Sequence, residues 1–205
     1  LNWLHIENGP DAVKDHTHFS EFSKETAAAM RTSLLLFLND IVWGTDSDYR
    51  RFFTEDTVFL NDSLAPLFHI HLNKNSPFQP VRIDDGQRAG IITHPYMMSL
   101  QSYADSTSPI HRGVFLARNI LGNVLQPPVN AVAPLPANVH PDLTTRERVA
   151  LQTEASACQT CHAMINPLGF ALEEYDALGR LRTAENRNGQ ERPINAMGNY
   201  QPRTG

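Results

Sequence analysis

Cys158, Cys161 and His162 are the residues of this chain whose types and spacing best suit chemistry. They lie in the run Cys158-Gln159-Thr160-Cys161-His162, two thiols separated by two residues with an imidazole directly behind. That arrangement attaches a c-type haem covalently. Each thiol can add across one porphyrin vinyl group, and the adjacent imidazole can then ligate the iron as proximal ligand. The chain has only two cysteines, and this motif uses both. A structural zinc site wants four protein ligands, and no second cysteine pair exists. A thioredoxin-type dithiol follows a strand and opens a helix, whereas the residues before Cys158 read as helix. A disulfide across two residues removes little unfolded-state entropy. None of these readings uses His162.

The sixth iron ligand decides the chemistry: Met or His on the distal side favours electron transfer, and an open position admits small ligands or peroxide. Met164 is too near the attachment site to reach the distal face. The candidates are Met197, Met97, Met98, His94, His111 and His140, of which Met197 and His94 are favoured. Met197 is the only Met well downstream of the motif, and His94 follows an apolar run and precedes Pro95. Met97 and Met98 read as core, His111 as a capping or backbone-bonded histidine, and His140 as a loop residue. Phe170, with Leu172 and Tyr175, could pack on the porphyrin, and Arg180 suits a propionate. Glu173, Glu174 and Asp176 read as a solvated acidic helix face. On a helix His69 and His71 diverge by roughly 200 degrees and are poor partners for one metal. His16 and His18 read as solvated loop residues. The chain has no phosphate-cradling glycine loop, nucleophile elbow or zinc-protease helix motif.

Composition bounds the rest. The 205 residues, 41% of them hydrophobic and 19% charged, suffice for one sizeable core or two small ones. A formal charge of -5 offers no basic field for nucleic acid or anionic membrane. The longest apolar run, Leu34 to Leu38, is too short to cross a bilayer, so no membrane span is expected. No signal segment is visible. Haem is attached outside the cytoplasm, so periplasmic or extracellular placement is expected, with this chain a mature or truncated product.

The pattern reads as mostly helical. Ala27, Met30, Leu34, Leu38 and Ile41 recur at helical spacing between about Ser20 and Trp43, and Gly44 supplies a stop. Leu64, Leu67, Phe68 and Leu72 predict a second helix over Asn61 to Leu72, with Pro66 tolerated near its start. The polar stretch to Asp85 reads as loop with a short strand at Val81 to Ile83. Ser108-Pro109 predicts a capped third helix ending at Gly122. Five prolines between Gln126 and Pro141 predict an extended arm. Thr144 to Glu147 is a capping box opening a helix that runs into the haem motif.

Several runs also resemble a known family. His111-Arg112-Gly113-Val114-Phe115-Leu116, Leu143-Thr144-Thr145-Arg146-Glu147, the haem motif and Asn166-Pro167-Leu168-Gly169-Phe170-Ala171-Leu172-Glu173 resemble one of the paired domains of unknown function in planctomycete-type cytochrome proteins. Phe59 to Ala65 and Arg88 to His94 resemble its partner domain. The resemblance implies a fragment or processed subunit of a larger protein and carries no assigned reaction.

The expected fold is mainly α: a helical partner domain over 1–128 packed on a cytochrome c-like haem module over 129–205, joined by the Pro-rich arm. The expected function is monohaem electron transfer outside the cytoplasm, with covalent haem c and iron as cofactor. Expected partners are a redox protein or further haem subunits, with a larger assembly as the setting. A haem peroxidase or ligand-binding protein, and a structural subunit with a covalent haem, are the alternatives.

Overall fold

The computed structural model describes residues 2–4, 6, 13–46, 48–83, 87–125 and 139–201. The chain forms two compact units, one of residues 1–106 with 177–181, the other of residues 107–176 with 182–205.

The first unit is built on helix α1, Lys24–Trp43, whose Ala- and Leu-rich sequence favours the helix. Ser23 caps it by accepting from the Thr26 backbone N–H. Ala27, Met30, Ser33, Leu34, Phe37 and Ile41 form its buried stripe. A short helix α2, Arg51–Thr54, leads into strand β1, Thr57–Leu60, which pairs antiparallel with β2, Gln79–Arg82. Val58 and Leu60 turn into the core, and Pro80 suits β2 to a sheet edge. Helix α3, Pro95–Leu100, is almost wholly buried. Buried Arg88 donates to Thr93 O at 2.6 Å and Gly179 O at 2.7 Å, anchoring residues 177–181 in this unit.

In the second unit, helix α4, Pro109–Phe115, starts as expected from a Ser108 cap with Pro109 in its first position. It widens into a π-helical turn over Leu116–Ile120. Helix α5, Thr145–Gln152, opens with the expected capping box: Thr144 N–H donates to Glu147 Oε2 at 2.7 Å, and Glu147 N–H donates to Thr144 Oγ1 at 3.2 Å. Helix α6, Ser156–Phe170, carries the haem motif. Helices α4 and α6 meet backbone to backbone. A Cβ at Gly113 would stand 2.1 Å from Ile165 O, and one at Gly169 would stand 1.9 Å from Pro109 O. Strands β3, Ala184–Arg187, and β4, Gln190–Pro193, form a hairpin turned on Asn188 and Gly189, both at positive φ. The inward-facing carboxylate of Glu185 accepts from Thr145 N–H at 2.8 Å and Thr145 Oγ1 at 2.9 Å, tying the hairpin to the N-terminus of α5.

The mainly α expectation is therefore corrected. The described residues mix helices with two small antiparallel sheets, and residues 139–201 hold two helices and a hairpin. They do not form a cytochrome c-like module. Among the described residues, no three or more His, Cys, Asp or Glu side chains are grouped to hold a metal ion. The physical reason lies in the strands. All four are four residues long, β3 and β4 are polar, and their pairing is closed by a tight turn rather than by apolar alternation.

The helix expected over 61–72 shrinks to a 3-10 turn, Ala65–Phe68, because His69 adopts a left-handed φ of 58° and ends it. The helix opened at Thr144 stops at Gln152, and α6 begins afresh at Ser156. The boundary placed at 128/129 and most of the Pro-rich arm lie outside the described residues. No helix among the described residues is long and apolar enough to cross a membrane.

Candidate functional site

Continuous helix from Ser156 to Phe170 turns the motif's spacing into geometry. Cys158, Cys161 and His162 stand at i, i+3 and i+4, so both thiols and the imidazole share one helix face. Neither cysteine is in a disulfide, and both are half-buried, as is His162. Cys161 packs on an apolar cluster of Ala117, Leu125, Met164 and Ile165, beside the half-buried Ile110, Val114, Leu168 and Tyr200. The stripe continues one turn on to Asn166, whose Oδ1 lies 3.0 Å from His162 Nδ1. Asn166 Nδ2 donates to Thr153 Oγ1 at 2.8 Å, and Thr153 Oγ1 donates to Val149 O at 2.8 Å. The side chain of Gln159, inside the motif, donates to Thr153 O at 2.5 Å. Thr153, the residue closing α5, thus holds α6 at two points.

The base of the site is made rigid by Arg112, a fully buried residue of α4. Its guanidinium donates to Leu172 O and Tyr175 O at 2.7 Å, to Asp176 O at 2.8 Å, and to Glu173 Oε1 at 3.4 Å. It therefore clamps the loop that leaves α6. Glu173 also accepts from Thr107 Oγ1 at 2.7 Å and lies 3.4 Å from Arg182 Nη2. Burial pulls the Arg112 pKa down to about 10 and pushes that of Glu173 up. The expectation that Glu173 belongs to a solvated acidic face is corrected: it is 3% exposed and paired.

The remaining site candidates scatter. Phe170 is buried, with the Arg146 guanidinium 4.4 Å from its ring centroid. Arg180 belongs to the first unit, where it pairs with Glu21 and lies over Phe19. His94, also in the first unit, is 1% exposed and caps α3: its Nδ1 accepts from Tyr96 N–H at 3.2 Å, and its Nε2 lies 3.4 Å from Ser33 Oγ. Met97 and Met98 are core residues, as expected. His111 lies on α4 and His140 in an exposed loop at positive φ. Met197 is 72% exposed, on a segment whose Asn195 and Met197 carbonyls accept from Arg146 at 2.8 and 2.6 Å. The sequence reading missed Asn166, Thr153 and Arg112. Only Asn166 carried a local signal, the i+4 position from His162.

Two family models match this chain. Residues 88–185, which include the motif, match PSCyt3, described as a protein of unknown function (DUF1588), and residues 1–70 match PSD4, described as a protein of unknown function (DUF1592). The chain carries both domains of this pair. The domain names point to cytochrome c-associated domains without an assigned function. No curated protein and no solved structure matches the chain.

Proposed function

We propose that this chain holds one haem covalently through Cys158 and Cys161, ligates its iron with His162, and transfers electrons outside the cytoplasm. The observation that carries this reading is the common face of α6 shared by both thiols and the imidazole. The residues fit the group in a second respect: half-buried Ile110, Val114, Leu168 and Tyr200 lie with Cys161 around an apolar cluster, and such side chains suit a porphyrin face. When bound, haem supplies a one-electron ferric–ferrous couple whose potential depends on axial ligand, burial and hydrogen bonding.

The chain's own chemistry is limited to attachment and positioning. Cys158 and Cys161 would hold the group through thioether bonds, each S–H adding across a vinyl C=C with its hydrogen going to the neighbouring vinyl carbon, so that no oxidant or reductant would be consumed. His162 would contribute a ring nitrogen to the iron. Of the two favoured distal candidates we assign Met197, because both ring nitrogens of His94 are engaged within the first unit, whereas the Met197 side chain is exposed on a segment held by Arg146. Electrons would pass to a redox protein or to further haem subunits.

A visible spectrum of the haem-loaded chain tests this. A sharp low-spin reduced spectrum unchanged by carbon monoxide is expected, with a weak far-red band in the oxidised form that disappears in Met197→Ala. A high-spin reduced spectrum with ready carbon monoxide binding contradicts electron transfer and favours ligand-binding or peroxide chemistry.

A further inference from the structure

We infer that Asn166 and Thr153 are positioning residues that set the tautomer of His162, placing its proton on Nδ1 and its lone pair on Nε2. The inference rests on the haem reading for its purpose, but its geometry belongs to the chain alone.

Thr153 Oγ1 carries one hydrogen, which it spends on Val149 O at 2.8 Å. Toward Asn166, 2.8 Å away, Oγ1 can then only accept, so the amide must present Nδ2 on that side. Its Oδ1 is left facing His162 Nδ1 at 3.0 Å. A carboxamide oxygen only accepts, so Nδ1 must be the protonated donor. A neutral imidazole with its proton on Nδ1 offers Nε2 as the ligating nitrogen.

Burial makes the arrangement hard to invert. Asn166 is 8% exposed and Thr153 is 2% exposed. Flipping the amide would set two acceptors against each other at one end or two donors at the other, each a buried unsatisfied contact. The second tie, from Gln159 to Thr153 O, links the same keystone to the residue following Cys158, so the device that orients the imidazole also fixes the backbone between the thiols. A donated Nδ1–H raises the basicity of the ligating nitrogen, which favours ferric iron and lowers the midpoint potential.

Two readouts on the full chain separate this inference from the haem reading. In the haem-free protein at alkaline pH, the ring nitrogen shifts of isotopically labelled His162 are expected to report an Nδ1–H tautomer. Asn166→Leu should revert to the Nε2–H form that predominates in free histidine. Asn166→Asp, which still accepts at Nδ1, and Thr153→Ser, which keeps the hydroxyl, should both retain Nδ1–H. In the haem-loaded protein Asn166→Leu should keep its covalent haem but shift to a more positive potential, and Thr153→Ser should not shift. A wild-type His162 carrying its proton on Nε2 overturns the inference, whatever its haem content. An unchanged tautomer in Asn166→Leu does the same. An Nδ1–H tautomer in a chain that takes up no covalent haem overturns the haem reading and leaves the roles of Asn166 and Thr153 standing.

Discussion

Arg112→Ala is expected to destabilise the chain by about 3–5 kcal/mol, the cost of removing one partner of a buried ion pair. The change leaves Glu173, 3% exposed, with Arg182 at 3.4 Å as its remaining cation. It also strips the carbonyls of Leu172, Tyr175 and Asp176 of a donor. Lysine is a poor substitute, since an ammonium cannot present the planar fork that reaches these groups. Pairing Arg112→Met with Glu173→Gln should recover part of the loss, because no charge is then left buried alone. Urea denaturation of the single and double variants measures both effects. A loss below about 1 kcal/mol in Arg112→Ala would mean that the clamp on the loop after α6 is dispensable.

The second large effect is an acid-induced loss of stability originating at His94. Burial, with a smaller contribution from the nearby Arg88 charge, holds its pKa down to about 3, against 6.5 for an ordinary histidine. Between those values the unfolded chain binds a proton at this site and the folded chain does not. The stability that the neutral ring supports is therefore complete above pH 6.5 and falls as the pH drops toward 3. The slope is about 1.4 kcal/mol per pH unit, so about 2–3 kcal/mol is gone near pH 4.5. His94→Asn keeps an acceptor for the Tyr96 N–H and removes the titrating group. Its unfolding free energy should fall less steeply over this range than that of the wild type. Parallel curves for the two proteins would rule out His94 as the source.

What was legible in the sequence was local. The α1 helix, the Ser108–Pro109 start and the Thr144–Glu147 capping box each depend on residues within one or a few turns, and each forms as read, except that Phe37 rather than Leu38 joins the buried stripe of α1. The strand placed at Val81 to Ile83 lies within one or two residues of β2, Gln79–Arg82. The failures were of two kinds. The stripe Leu64, Leu67, Phe68 and Leu72 has helical spacing, but the left-handed backbone at His69 cuts it after one turn. The β3–β4 hairpin carries polar side chains, so only Asn188-Gly189 announced it.

The same division holds for the site. The shared face of the thiols and the imidazole follows from spacing once a helix is granted. The contacts that steady it do not. Arg112 and Glu173 are 61 residues apart, and Asn166 and Thr153 are 13 apart across a helix break. Glu173 was misread because its acidic neighbours look like a solvated face until a distant guanidinium is brought to it.

Mass spectrometry of the full chain, produced with haem maturation outside the cytoplasm and then extracted under denaturing conditions, tests the central claim most directly. A mass equal to the chain plus one haem, lost when Cys158 and Cys161 are both replaced by alanine, is the result expected. A wild-type chain that emerges at its bare mass, its two thiols still open to alkylation, would contradict it.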